Sequence, residues 1–298
     1  MDNEEFNSNS IEKLDENSRC DISWVQNWDP ETIPEHAFIL IASKRRSGKT
    51  HLVRHIIKPI HKRFEKVYLF SETSYLQDNP YDFIPKGNQY NSFQPSVIQT
   101  LITSQQEIIE RNKKLDKKSR VKNHILIICD DVINDPNIRK NPVLKTLATQ
   151  GRHSMITVIL LAQTISARSG FPAVIRTNVD VFICFILHDQ FNRETSAEQY
   201  ASVVNKKEGM KLINSITCSE PYMAAVFDLS KTHIKSYKDY VYKIKAPDTK
   251  PKFKIGNEDL GVQSKKTEKD NQFHFDGYSG INKMFKTFSG TPTLGFRI

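Results

Sequence analysis

Residues 37–50 of the chain read AFILIASKRRSGKT, and this stretch decides the fold. The apolar run 37–42 leads into the polar loop SKRRSGKT, and the apolar positions of the following HLVRHII recur at helical spacing. The pattern predicts a buried strand, a tight loop and the first turns of a helix. In such a loop, backbone N–H groups and the positive end of the helix bind a chain of phosphates. We therefore expect a nucleotide here.

The loop has the form of a Walker A motif with one departure. Gly48 allows the backbone to approach phosphate closely, Lys49 reaches the terminal phosphate oxygens, and the Thr50 hydroxyl coordinates Mg²⁺. Ser43 stands where glycine is usual, so it would carry strain if that position required a positive φ angle. The candidate phosphate-binding residues are Ser43, Lys44, Arg45, Arg46, Ser47, Gly48, Lys49 and Thr50.

A second candidate site is the sequence ILIICDD at residues 125–131. Apolar residues followed by an acid at the carboxyl end of a central strand place Asp130 where it can hold Mg²⁺, directly or through water, as in a Walker B motif. Asp131 is the candidate for polarising an attacking water, although it is one methylene shorter than the glutamate that often follows a Walker B aspartate. The alternative is that the acid pair simply begins a turn before the Asn134-Asp135-Pro136 segment.

A third candidate is Gln163, at the end of the predicted strand 155–163. An amide there can contact the terminal phosphate or the lytic water and report hydrolysis to the rest of the molecule. Its predicted role depends mainly on the two preceding motifs.

Three arginines are candidates for stabilising the transferred charge. Arg152 precedes the strand that carries Gln163, and a strand of that length spans roughly 25 Å, so Arg152 is expected to lie far from its own nucleotide. The same argument applies to Arg176. If either acts, it acts on a neighbouring subunit, which predicts a ring. Arg168, just past Gln163, could act in cis; a surface salt bridge is the alternative for each arginine.

The remaining pattern predicts an α/β protein. Three further strands, 124–131, 155–163 and 179–187, are near-continuous apolar runs, which are typical of a mostly parallel sheet with helices on both faces. A strand at 67–73, a long polar helix at 96–120 and a helix at 194–204 complete the central part. The segments YMAAVFDL and DYVYKIKA are expected to extend the sheet as late strands.

Composition divides the chain into three segments. Residues 1–34 form an acidic extension with an ordered lead-in that carries Trp24 and Trp28, residues 35–246 form the core, and residues 247–298 form a polar, basic tail. The net charge of +9 over 298 residues suits a polyanionic partner, although it can also serve solubility alone.

The four cysteines are widely spaced without a CxxC pair, and no apolar run is long enough to span a bilayer. We expect reduced thiols in a soluble, intracellular protein without a transmembrane segment.

The segments ASKRRSGKT, ILIICDD, GRHSMITVILLAQ and FPAVIRTNVDVF, in this order, resemble the genome-packaging ATPases of nucleocytoplasmic large DNA viruses, a branch of the FtsK-HerA superfamily. The resemblance covers about residues 38–246. It implies a RecA-like P-loop core with an extra strand between the strands of the first two motifs. It also implies oligomeric rings, ATP hydrolysis with Mg²⁺ and translocation of double-stranded DNA into a capsid.

The resemblance also assigns roles to individual residues. Lys49 and Thr50 would bind phosphate and Mg²⁺, Asp130 Mg²⁺ and Asp131 the water. Gln163 would sense the γ-phosphate, and either Arg152 or Arg176 would act in trans. Such a protein would work in the host cytoplasm at viral assembly sites or in the virion, where capsid or membrane-associated virion proteins are candidate partners.

Three other functions are compatible with parts of the sequence. A GTPase-type switch is suggested by NKKE at 205–208, but its final acid is Glu and no DxxG follows a strand. A non-catalytic DNA-binding assembly scaffold with a degenerate phosphate loop is favoured by Ser43 and opposed by Lys49, Thr50 and the acid pair. A kinase would use the same parts, but no segment has the pattern of an acceptor site or a lid.

Overall fold

The computed structural model describes residues 19–72, 79–132, 136–201, 205–247 and 252–257. Within these residues, eight strands form one sheet in the order β3-β2-β4-β5-β1-β6-β7-β8. The strands are β1 (Phe38–Ala42), β2 (Lys66–Ser71), β3 (Gln89–Tyr90), β4 (Ile125–Asp130), β5 (Ile156–Ala162), β6 (Val181–Cys184), β7 (Met223–Asp228) and β8 (Val241–Lys245). The first six are mutually parallel, β7 runs antiparallel to β6, and β8 runs antiparallel to β7.

Both faces of the sheet are covered, as the continuous apolar runs predict. Every residue of β1, β4 and β5 is buried. Along β1, Phe38 and Leu40 pack into one apolar core, and Ile39 and Ile41 pack into the other, on the opposite face. Each fully buried Leu or Ile contributes about 1.5–3 kcal/mol, so the central strands anchor the fold.

Helices form the connections between strands. They are α1 (Lys49–Ile60), α2 (Pro95–Lys113), α3 (Pro136–Arg139), α4 (Pro142–Gln150), α5 (Ala173–Arg176), α6 (Gln190–Tyr200) and α7 (Lys206–Thr217). Side-chain caps fix the first residue of several helices: Asn141 caps α4, Asp189 caps α6, and Asn205 caps α7. Helix α1 ends one residue after Pro59, as the proline predicts.

The α/β fold with a mostly parallel sheet is therefore confirmed. Strand β5 lies between β1, which precedes the phosphate loop, and β4, which ends in the first aspartate. This is the extra strand implied by the resemblance to FtsK-HerA ATPases. The two late strands also extend the sheet as predicted.

Several boundaries differ from the sequence prediction. The predicted helix 96–120 ends at Lys113, because Asp116 accepts from the backbone N–H of Ser119 (2.9 Å) and forms a turn. The predicted strand 179–187 is only β6, since its partner β1 ends opposite Cys184. The predicted helix 194–204 begins earlier, at Gln190, and residues 202–204 lie outside the described ones.

Helix α7 was not predicted, and it removes the GTPase interpretation of the NKKE segment. Asn205 Oδ1 accepts from the backbone N–H of Glu208 at 2.9 Å. Asn205 thus caps α7, and its side-chain oxygen is engaged by the backbone of that helix.

The lead-in packs on the body of the protein. Trp28 is buried, and its backbone N–H donates to the carbonyl of Lys243 on β8 at 2.8 Å. Trp24 packs edge-on against Tyr237, with ring centroids 5.2 Å apart. Residues 1–18 of the acidic extension lie outside the described part of the chain.

Residues 252–257, at the start of the predicted polar, basic tail, also pack on the body. Ile255 is buried, and its N–H donates to the carbonyl of Phe83 at 3.1 Å. Residues 258–298 lie outside the described residues. Among the described helices, none is long and apolar enough to cross a membrane.

Candidate nucleotide-binding site

The sheet topology gathers the predicted motifs at one edge. Strands β1, β4 and β5 are parallel neighbours, so their carboxyl ends lie side by side. The backbone N–H of Ser43 donates to the carbonyl of Ala162 at 3.0 Å, which joins the start of the loop to the end of β5. Because β7 starts and β8 ends at this same edge, Tyr222 and Ala246 also lie there.

The loop turns through two residues in the left-handed region. Gly48 has φ 87° and Arg46 has φ 61°. Ser43 does not have a positive φ angle, so the strain considered for it does not arise. The side-chain oxygens of Ser43 and Ser47 are buried without a hydrogen-bond partner among the described residues. The loop thus holds polar groups that a phosphate chain could satisfy.

Lys49 joins the loop to both aspartates. Its Nζ lies 2.6 Å from Asp131 Oδ1 and 3.7 Å from Asp130 Oδ1. The side chains of Lys49 and Asp130 are only 10% and 7% exposed, whereas that of Asp131 is 28% exposed. The formal charges of these three side chains sum to −1 in a largely buried space, and this excess of acidic groups favours binding of a further cation.

Asp130 has the properties of a metal ligand. Its Oδ2 accepts a hydrogen bond from Tyr81 (2.8 Å), while its Oδ1 is buried without a hydrogen-bond partner among the described residues. Burial raises the pKa of Asp130, and the ammonium of Lys49 opposes that shift. A carboxylate oxygen, a nearby hydroxyl at Thr50 and the local negative charge suit the hard ion Mg²⁺.

Gln163 reaches the second aspartate. Its Nε2 donates to Asp131 Oδ2 at 3.0 Å. Asp131 itself has φ 58°, and its N–H donates to the carbonyl of Leu161 on β5 (3.3 Å). The side chain of Asp131 is therefore held from two sides, by Lys49 and by Gln163.

Tyr81 is a site residue that the sequence did not indicate. It is fully buried, and burial together with the neighbouring Asp130 carboxylate raises its pKa well above the ordinary value, so the phenol stays a donor. One tyrosine in a polar segment carries no recognisable spacing, so only the fold reveals this contact.

The turn that carries Tyr81 is held by helix α1. Arg54 is buried, donates to the carbonyl of Pro80 at 3.0 Å and pairs with Asp82. Its guanidinium also lies over the ring of Phe83, 4.7 Å from the centroid. The helix that begins in the phosphate loop thereby also positions the residue that orients Asp130.

The three arginines lie in different surroundings. Arg152 is exposed and lines a cavity with Asp180 and His36 at the amino ends of β1, β5 and β6, the edge opposite the phosphate loop. Arg168 stacks over Phe191, 3.8 Å from the ring centroid. Arg176 donates to the carbonyl of Ile165 at 3.3 Å, so its guanidinium reaches back toward the segment that follows Gln163.

An open cleft of about 470 Å³ adjoins the loop. Its lining residues are Arg46, Ser47, Gly48, Lys49, Thr50, His51, Pro80, Tyr222, Ala246 and Pro247. A cleft of this size, formed around the phosphate loop, has room for a nucleotide.

Residues 27–246 match the family described as Poxvirus A32 protein, whereas no curated protein sequence matches the chain. Among solved structures, B204, the DNA-packaging ATPase from Sulfolobus Turreted Icosahedral Virus, has a TM-score of 0.45 and 15% identity, covering 70% of this chain and 98% of that one. TcpA, the pCW3 conjugation coupling protein in its monomer form with ATPgS, has a TM-score of 0.49 and 15% identity, covering 76% and 70%. Since the family match spans well over half of the 298 residues, the chain belongs to the Poxvirus A32 protein family.

Proposed function

We propose that this protein is an ATP-hydrolysing translocase of double-stranded DNA that packages a viral genome into the capsid. One observation carries the proposal: Lys49, Asp130, Asp131 and Gln163, which are spread over more than a hundred residues, meet beside the phosphate loop. A phosphate loop, two acids and a polar sensor are the groups that phosphoryl transfer to water requires.

Each residue has a distinct role in this proposal. The backbone N–H groups of residues 43–50 and the ammonium of Lys49 bind the phosphates. Asp130 and the hydroxyl of Thr50 hold Mg²⁺, which neutralises charge on the phosphate oxygens when it is bound. Tyr81 keeps the carboxylate of Asp130 oriented through its hydrogen bond.

Asp131 is the proposed base for the attacking water. Its Oδ1 contacts Lys49 and its Oδ2 contacts Gln163. Phosphate oxygens compete with Asp131 for the same ammonium, so nucleotide binding frees a carboxylate oxygen to take the proton of water. Gln163 hydrogen-bonds the same carboxylate and directly follows β5. A change in this hydrogen bond on hydrolysis would therefore be transmitted to β5, which is the role of a sensor of hydrolysis.

The proposed translocation of DNA depends on the positive charge of the protein and on its assembly into a ring. A net charge of +9 favours contacts with the phosphate backbone, which predicts sequence-tolerant and salt-sensitive binding. Arg152 lies at the edge of the sheet opposite the loop, so it could stabilise charge only in a neighbouring subunit of a ring. Such a motor would act at viral assembly sites in the host cytoplasm or in the virion, with capsid or membrane-associated proteins as candidate partners.

The test is steady-state ATP hydrolysis with and without double-stranded DNA. The Lys49→Ala protein should lose turnover by at least about 10²-fold, because a charge contact to the transferred phosphate is removed. Lys58→Ala is the matched control, since Lys58 is an exposed lysine on the same helix. A Lys49→Ala protein that hydrolyses ATP at the native rate would remove the proposal, and nucleotide binding without turnover in the native protein would favour the assembly scaffold.

A further inference from the structure

The backbone conformation of Tyr222 is unusual for a residue of its type. It lies immediately before β7 with φ 61°, a region that bulky side chains rarely adopt. The contact that holds it there is a hydrogen bond from the N–H of Ala246 to its carbonyl (3.0 Å). Strained residues of this kind cluster at ligand sites, so the conformation needs a reason beyond packing.

The ring of Tyr222 lies against the phosphate loop. A Cβ atom built on Gly48 would lie 3.2 Å from Cδ1 of Tyr222 and 3.3 Å from Cβ of Ala246. The absence of a side chain at Gly48 thus serves two ends: it permits φ 87° and admits the aromatic ring. Even so, Tyr222 remains 43% exposed and lines the cleft.

The opposite walls of the cleft have different chemistry. On one side lies Pro80, which precedes Tyr81, and the hydroxyl of Tyr81 donates a hydrogen bond to Asp130. The proposed metal and the terminal phosphates therefore lie on that side. On the other side, at the end of the sheet that β7 and β8 form, lie Tyr222, Ala246 and Pro247. The carbonyl of Pro247 lies 3.3 Å from Nδ1 of His51, the residue after Thr50, so this wall is tied to helix α1.

We propose that Tyr222, with Ala246 and Pro247, forms the subsite for the base of the nucleoside triphosphate, the base stacking on the exposed part of the tyrosine ring. This assignment rests on the proposed function for the phosphate end of the ligand. An aromatic face beside small apolar groups suits the π-face of a base. A phosphate chain bound along residues 47–50 leaves this wall as the side where the nucleoside lies.

The experiment compares ligands that have a base with one that does not. Binding of a non-hydrolysable ATP analogue and of inorganic tripolyphosphate, each with Mg²⁺, is measured by calorimetry on the full chain. Tyr222→Asn removes the ring but suits a left-handed φ angle, and Tyr222→Phe keeps the ring. The Asn variant should bind the ATP analogue roughly tenfold more weakly, with tripolyphosphate affinity unchanged. The Phe variant should match the native protein for both ligands.

Two results overturn the base subsite while leaving the phosphate site intact. Equal weakening of both ligands in the Asn variant would mean that the ring only supports the loop at Gly48. Unchanged affinity for the ATP analogue would mean that the base lies elsewhere. If the native protein binds neither ligand, the proposed function itself fails, which is a separate outcome.

Discussion

At the scale of single residues, the candidate site is defined by one lysine and two aspartates that lie close together in a largely buried space. Lys49 is the cation that contacts both Asp130 and Asp131, and the formal charges of the three side chains sum to −1. Asp130 is buried, and its Oδ1 has no hydrogen-bond partner among the described residues. A buried carboxylate oxygen without a partner is unfavourable, so a bound cation would stabilise it. Tyr81 supplies the hydrogen bond that decides which oxygen remains available.

Removal of the Tyr81 hydroxyl should selectively weaken Mg²⁺ binding at the proposed metal site. In Tyr81→Phe, Oδ2 of Asp130 loses its donor and the carboxylate can rotate, so we expect the Mg²⁺ concentration for half-maximal ATP hydrolysis to rise roughly 10- to 100-fold. Excess Mg²⁺ should restore much of the rate. Tyr242→Phe, on β8, removes a hydroxyl that donates to the carbonyl of Asp239 and serves as the control. An unchanged Mg²⁺ requirement in Tyr81→Phe would contradict the positioning role.

At the scale of elements, one polar residue of α6 fixes the segment that follows Gln163. The side chain of Asn192 is buried, and its Oδ1 accepts from the N–H groups of Ile165 (2.9 Å) and Ser166 (3.1 Å). The same oxygen accepts from the hydroxyl of Thr164 at 3.1 Å. Helix α6 thereby holds the backbone between β5 and α5 in one conformation.

Loss of this contact should be measurable as stability. Asn192→Ala leaves two buried N–H groups without an acceptor, which costs about 1–3 kcal/mol in the free energy of unfolding. Urea denaturation of the variant should show a lower midpoint with an unchanged slope. Gln199→Ala, at an exposed position of the same helix, is expected to change stability by less than about 0.5 kcal/mol. Equal stability of the two variants would show that Asn192 does not support the loop.

At the scale of the whole molecule, the predicted site residues fall into two groups at opposite ends of the strands. The phosphate loop, both aspartates and Gln163 lie at the carboxyl ends of the central strands, whereas Arg152 lies at the amino ends beside Asp180. A side chain cannot cross the length of β5, so Arg152 can meet a nucleotide only in another subunit.

Mixing two inactive proteins tests whether sites are shared. Lys49→Ala and Arg152→Ala should each hydrolyse ATP poorly, but a mixture should regain a fraction of the native rate. Some interfaces in the mixture combine an intact loop with an intact arginine. The same mixture with Arg176→Ala asks which arginine crosses, since Arg176 contacts Ile165 of its own chain. If the mixtures show only the sum of the separate rates, neither arginine acts in trans.

The sequence alone determined much of this protein. Hydrophobic runs predicted β1, β4 and β5, and the adjacent polar residues marked Lys49, Asp130, Asp131 and Gln163, because parallel strands align their carboxyl ends. These signals are local: each acid or amide directly follows a run of residues that must be buried.

Tertiary structure decided what depends on distant segments. Tyr81 meets Asp130 only because α1 holds its turn through Arg54, and Tyr222 meets Gly48 only because β7 and β8 return to the loop edge. Neither contact has a sequence spacing that repeats, so no periodicity could reveal it. The ends of α2, α6 and β6 likewise depend on caps and strand partners rather than on the hydrophobic pattern.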